Sequence, residues 1–287
     1  MAFSTSAAGV QGYMETLQAE SVARFIIGSR LWNHVYPVAS TNANTVQFPV
    51  LPAPSPVTSA TAETASISDA AISITTATAS PAQIAAATII SRKALLGGSA
   101  IQEKAFGVLI NNVVAGFDYD IATEFDDLTD AGNVAESASI AALRASKADL
   151  ADVGYGGQMH GALSEDQMDL VLSGLSSYTV PQTAEYLGTG YVGRVLGIEL
   201  VALPSGFMQT DTNKVGAIWY KEFGICVGYH AGDTVSGVME GTGAPAPLVH
   251  LEIAPIDVVS VNLSAAVFSL ASEMAATGGV CVKYAIS

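Results

Sequence analysis

Charge is what this chain has least of. Only 13% of its residues are Asp, Glu, Lys or Arg, about half the share of roughly 25% usual in soluble proteins. Half of the residues are hydrophobic, yet the longest apolar stretches, such as residues 82–90, fall far short of the ~20 residues a spanning helix needs. That excludes a helical membrane protein as the source of the greasy composition. Much of the excess is alanine, which suits close packing, and the rest is expected to be surface covered by other chains, as in an obligate oligomer. Positive charge is scarcest: 11 Lys plus Arg stand against 26 Asp plus Glu, for a net charge of −15. A protein that grips nucleic acid needs a basic footprint to neutralise phosphates, and none is present. The two cysteines, Cys226 and Cys281, make no disulfide framework and no Cys-x-x-Cys pair, so both are expected to be reduced core thiols. No basic residue precedes Arg24 and the first stretch has no apolar core, so it does not form a signal peptide. The expected site of synthesis is a cytoplasm.

The order of parts is informative. Residues 1–40 read as an arm carrying a short helix, because Val22, Phe25, Ile26 and Leu31 fall at near-helical spacing within residues 19–32, with Arg24 and Arg30 offset. The segment that follows is defined by absences. No lysine or arginine occurs from Leu31 to Ser91, no glycine between Gly28 and Gly97, and no aromatic residue between Phe48 and Phe106. Period-two alternation over 45–50 and 71–75 predicts two strands, joined by a stretch rich in Pro, Ser, Thr and Ala that has little with which to build a core. A long extended hairpin, projecting from the body and held by neighbouring chains, is the expectation for 41–80.

A long helix should follow. Ser99 with Gln102 has the form of a capping box, and Ile101, Ala105, Leu109, Val113, Phe117 and Ile121 recur every fourth residue, backed by Phe106 and Ile110. Gly107 and Gly116 within it permit close approach or bending. An acidic loop comes next. A second helix is expected from Asn133 and Glu136 through Ala145 and Leu150, then a strand at 158–163. A third helix, capped by Ser164 with Gln167, carries Met168, Val171 and Leu172. From Tyr191 onward the chain is strand-rich, giving an α+β fold with strands dominating the second half.

Few residues invite chemistry. Gly188, Gly190 and Gly193 satisfy G-x-G-x-x-G, but a strand pattern follows where a dinucleotide site needs a helix to open. His34, His160, His230 and His250 are scattered and lack the i,i+4 spacing of a helical metal pair. Asp118, Asp120, Asp126, Asp127 and Asp130 cluster at the end of the long helix, but Leu128 stands where a calcium loop would place an acid, so a solvated helix end is expected. No nucleophile elbow is present and no serine pairs with a base. The residues therefore predict no enzyme, with no catalytic, cofactor-binding or metal-binding residue assigned.

Polar arm, extended hairpin, long helix and strand-rich body, in that order, resemble the major capsid protein of tailed bacteriophages, the Hong Kong ninety-seven-type fold that encapsulin shells also use. The likeness rests on residues 46–49 leading into the hairpin, the helix from Ser99, and the glycine-punctuated strand pattern of residues 190–204. It implies an N-terminal arm at 1–40, an extended loop at 41–80, a peripheral domain with its spine helix from 81–130 and 250–287, and an axial domain at 131–249. It implies pentamers and hexamers closing into an icosahedral head around double-stranded DNA that is enclosed without being bound by sequence. Such a head assembles in a host cytoplasm with a portal, a separate scaffolding protein and, in some members, a cement protein. Some members weld their shells through a lysine in the extended loop. Here the first lysine of the chain is Lys93, so covalent cross-linking by that route is not expected. An encapsulin-type compartment is the alternative within this fold, and a β-rich tail-tube or adhesion protein the alternative outside it.

Overall fold

The computed structural model describes residues 20–21, 23–40, 45–50, 75–91, 99–130, 139–175, 194–208, 213–230, 248–253 and 260–285. Its centre is helix α1, Ser99–Thr123. The four-residue repeat does what it predicts: Leu109, Val113, Phe117 and Ile121 are buried, with Phe106, Ile110 and Val114 beside them. Together they are the spine of the largest core cluster. The side chains of Ser99, Ile101 and Gln102 lie outside the described residues. Gly116 is required by contact, because a Cβ there would meet Ile84 Cγ2 at 2.8 Å, so a side chain would push α1 off the sheet.

The sheet beneath α1 has five strands: β1 (Tyr36–Ser40), β4 (Ala82–Ser91), β10 (Ile225–His230), β11 (Leu248–Ile253) and β12 (Ser260–Glu273). β12 organises it. Ser269 pairs with both Ala82 and Tyr229, and Ala265 with both Ala86 and Val249. β4 therefore runs along one edge of β12, while β10 and β11 share the other. β1 closes the far side by pairing in parallel with β10. A small hairpin, β2 (Val46–Val50) with β3 (Thr75–Ala79), pairs Val46 with Ala79 and Val50 with Thr75. Residues 51–74, which carry the rest of the expected loop, lie outside the described residues.

A second sheet has six strands: β5 (Thr129–Asp130), β6 (Met159–Ser164), β7 (Arg194–Val195), β8 (Ile198–Leu203), β9 (Asn213–Tyr220) and β13 (Gly279–Ala285). Their order across the sheet is β5-β13-β9-β6-β8-β7. Helices α2 (Ile140–Asp152) and α3 (Glu165–Leu175) pack on it through Leu143, Leu150, Met168 and Val171, all buried in one cluster with Ile198 and Ile218. The α3 cap is reciprocal, as the sequence predicts: Gln167 N–H donates to Ser164 Oγ at 3.3 Å, and Ser164 N–H donates to Gln167 Oε1 at 3.2 Å. β7 turns into β8 through Leu196 (φ 56°) and Gly197 (φ 82°). Two successive left-handed residues form the tight turn whose twist suits a two-residue hairpin. From Arg194 the chain runs into this strand hairpin; residues 188–193, which carry the glycine-rich motif, lie outside the described residues.

Several expectations need correction. The arm reading is too generous: Phe25, Leu31, Trp32 and Val35 are all buried in the main core, so residues 25–35 belong to the body. The helix there stops at Gly28, and a 3-10 turn, Trp32–His34, follows it. The second helix starts at Ile140, because Ser139 is extended (φ −148°) and its Oγ accepts from Ala142 N–H, which fixes the N-terminus there. Thr129–Asp130, expected as loop, pairs in parallel with Val280 and Cys281. Sheet membership also cuts across the expected segments: β10 pairs with β12, whereas β13 pairs with β9.

Candidate functional site

No pocket with convergent catalytic groups appears among the described residues; the features with chemical content are one surface and three polar centres. The surface lies along β4 and α1. On β4 the alternation is apolar on both faces. Ile84, Ala86 and Ile90 turn inward, while Ala85, Ala87 and Ile89 face out, Ile89 at 71% exposure. A shallow groove lined by Ala87, Thr88, Lys104, Ala105, Val108 and Asn112 separates the strand from the helix, and Val108 is 60% exposed. A strand apolar on both faces is one that is covered on both faces. Ile27, at 84% exposure, adds a further uncovered side chain.

The first polar centre is Asp118. The sequence pattern predicts a solvated helix end there, but the residue is one turn beyond buried Val114 and only 4% exposed. Its carboxylate accepts from Ser29 Oγ–H at 2.6 Å and from the backbone N–H of Arg30 at 3.0 Å and Leu31 at 3.4 Å. Ser29 Oγ in turn accepts from Trp32 N–H at 3.1 Å. Burial raises the pKa of Asp118 above the ordinary value, against the lowering effect of these hydrogen bonds. Asp120 is likewise structural, accepting from Ala271 N–H at 3.1 Å. These two carboxylates hold backbone.

The second centre is an acidic cluster. Glu124, in the 3-10 turn Glu124–Asp126, has its pKa raised from 4.5 to about 7, chiefly by burial and then by the charges of Asp127, Asp120 and Glu273. The thiol of Cys226 lies close by and is pushed up to about 12, mainly by burial. Cys226 and Cys281 are both buried and neither is in a disulfide, as expected of reduced core thiols.

The third centre joins two histidines that their spacing in sequence does not connect. His34 Nδ1 and His160 Nδ1 are 2.8 Å apart, and Glu199 Oε2 is 3.9 Å from His160 Nδ1. Burial lowers both imidazole pKa values, that of His160 to about 4. The side chains of His230 and His250 lie outside the described residues.

No protein-family model matches the sequence, and no curated protein matches it. Solved structures do. The head of Helicobacter pylori bacteriophage KHP40 aligns with a TM-score of 0.63 at 10% identity, covering 91% of each chain. The capsid of Ralstonia phage GP4 gives 0.61 at 9% identity, covering 88% of this chain and 87% of that one. A virus-like particle from Pyrococcus furiosus gives 0.56 at 8% identity, covering 94% and 99%. Agreement over nearly the full length of each chain establishes that this protein has the phage-capsid, Hong Kong ninety-seven-type fold, as its order of parts implies.

Proposed function

We propose that the chain is a structural major capsid protein whose copies form the pentamers and hexamers of an icosahedral phage head enclosing double-stranded DNA. The observation that carries the reading is the end-to-end likeness to capsid chains from different phages. The uncovered apolar side chains of β4 and α1 support it, since a second copy of the chain would cover them. The net charge of −15 suits a container that does not cling to its DNA. In terms of the fold, the axial region corresponds to the six-stranded sheet with α2 and α3. The peripheral region corresponds to α1 with the five-stranded sheet, and the β2–β3 hairpin to the base of the extended loop. A portal, a separate scaffolding protein and a cement protein are the partners such a head would use. With no lysine before Lys93, the loop has no amine for an isopeptide weld, so the shell is held by many non-covalent contacts acting together.

Negative-stain imaging of the purified protein tests the assembly: closed shells are expected, and a monodisperse monomer at high concentration would overturn it. The same particles, boiled in denaturing detergent, should run as a single band; a covalent ladder would refute the unwelded shell. The encapsulin-type compartment is the second reading, favoured by the match to the Pyrococcus furiosus particle over 99% of that chain. Nuclease-protected double-stranded DNA inside particles from the native source selects the phage head, and protected protein cargo without DNA selects the compartment.

A further inference from the structure

We propose that His34, His160 and Glu199 form a site for a divalent transition-metal ion of the zinc class. The three side chains come from separate parts of the chain: the turn Trp32–His34, strand β6 and strand β8. β6 and β8 are parallel neighbours, and their register sets His160 opposite Glu199. One donor atom from each residue lies within 4.8 Å of the other two. Metal–nitrogen and metal–oxygen bonds of about 2.0–2.2 Å in a tetrahedron put neighbouring donors about 3.3–3.6 Å apart. The observed 2.8 Å between the two Nδ1 atoms and 3.9 Å from His160 Nδ1 to Glu199 Oε2 bracket that range. Small side-chain rotations bring all three donors onto one ion.

Without an ion the arrangement is underused. Two ring nitrogens facing each other share one proton, and the carboxylate is too far from His160 Nδ1 for a hydrogen bond. His160 is 3% exposed, and its Nε2, the nitrogen that would carry the proton when Nδ1 ligates, has no hydrogen-bond partner among the described residues. An ion in place of the shared proton engages both imidazoles and the carboxylate at once.

The surroundings hold the ligands in place, as outer partners do in metal sites. Trp219 Nε1–H donates to the His34 carbonyl at 2.9 Å, and Gln158 Nε2–H donates to Glu199 Oε2. Lys221 and Arg194 oppose a cation here, although Lys221 Nζ is engaged with the Asn33 carbonyl at 2.7 Å. Affinity should therefore fall below that of closed four-ligand structural sites. His34 and Glu199 are partly open to solvent, which leaves room for water as the fourth ligand. The ion would pin the turn after the first helical segment to two strands of the six-stranded sheet.

The test uses the untagged full chain, stripped with a chelator and titrated with Co²⁺ and with Zn²⁺. Expected are a visible cobalt band saturating near one ion per chain, its displacement by Zn²⁺, and a higher melting temperature with Zn²⁺ that Mg²⁺ does not reproduce. His34→Gln, His160→Gln and Glu199→Gln should each weaken Co²⁺ binding at least tenfold. Because a change at buried His160 risks misfolding, the partly exposed His34 and Glu199 carry the decision, with circular dichroism confirming their fold. No cobalt band and no Zn²⁺ effect on melting would overturn the site, as would binding unchanged in both His34→Gln and Glu199→Gln. Neither result bears on whether shells form, so this site and the capsid reading fail separately.

Discussion

Replacing Asp118 by alanine should be among the most damaging single changes away from the apolar core. The carboxylate gathers the Ser29 hydroxyl at 2.6 Å and the Arg30 amide at 3.0 Å, with the Leu31 amide at a weaker 3.4 Å. These bonds hold the chain as it leaves residues 23–28, where Phe25 meets Phe117 at 4.8 Å between ring centroids and Trp32 meets it at 6.0 Å. Removing the acceptor strands two well-made donors, each at about 1–3 kcal/mol, for a total of about 2–5 kcal/mol once partial rearrangement of the Ser29 hydroxyl is allowed. An asparagine side chain in the same place would keep one acceptor oxygen and avoid burying a charge, so Asp118→Asn should cost only about 1–2 kcal/mol. For a chain of this length the unfolding entropy is of order 0.6 kcal/mol/K, so the alanine variant should melt about 3–8 °C lower if unfolding is cooperative. Thermal and denaturant unfolding of dispersed subunits measure this, and hydrogen exchange should show the Arg30 amide losing protection. An alanine variant within about 0.5 kcal/mol of the parent, the range of ordinary surface changes, would refute the clamp. Asparagine costing as much as alanine would show that charge, and not acceptor count, is what matters.

Leu109 is 2% exposed on the buried stripe of α1, so Leu109→Ala should cost about 2–5 kcal/mol, and a denaturant midpoint unchanged from the parent would mean the wrong face had been assigned. Glu124 has a folded pKa of about 7 against an ordinary 4.5, so the folded state holds its proton where the unfolded state releases it. Stability from this group is therefore full below about pH 4.5 and falls as pH rises through 7, by about 1–3 kcal/mol. Asp127, Asp120 and Glu273 face it, and each raises its pKa by its charge. Glu124→Gln should flatten melting temperature between pH 5 and pH 8 and raise it at pH 8; a profile as steep as the parent's would place the proton elsewhere. Like-charged subunits repel over about 10 Å at 0.1 M salt, so assembled shells should melt higher in moderate than in low salt, and the opposite trend would exclude repulsion as the limiting term.

Local signals are legible in the sequence and distant ones are not. The α3 cap is legible because Ser164 and Gln167 are three residues apart and satisfy each other. The α1 stripe is legible because a four-residue repeat marks one helical face. At Asp118 the residue type misleads, since an acid near a helix end usually meets water. Its position is the better guide: it lies four residues after Val114 and next to Phe117, on the buried flank. The partners it holds are 87–89 positions away, and no spacing rule reaches that far. The histidine pair fails the i,i+4 test for the same reason, its members being 126 positions apart and brought together by a turn and a strand. The consecutive strands β9 and β10 lie in different sheets, as do β12 and β13, because pairing is chosen by cross-strand packing that only the folded chain displays.

Composition and fold together explain the greasy sequence more fully than either does alone. Part of the alanine excess is used inside one chain: on the side facing α1, β4 and β12 meet as Ala86 on Ala265, and Gly116 lets α1 descend onto Ile84. Small residues there bring helix and sheet close without large side chains. The outer face of the same strand is a different matter. Ala85, Ala87 and Ile89 are exposed, on a strand that would be expected to alternate apolar and polar if water covered that side. A side chain such as Ile89, at 71% exposure, gains about 1.5–3 kcal/mol when it is fully buried, and a single chain forgoes that gain. Scattered exposed hydrophobics need no explanation, but a whole strand face next to Val108 and its groove does. On the capsid reading proposed above, a neighbouring copy laid across β4 and α1 would recover the burial, and the absence of lysine and arginine along residues 31–91 means that β4 itself brings no cation to be desolvated there.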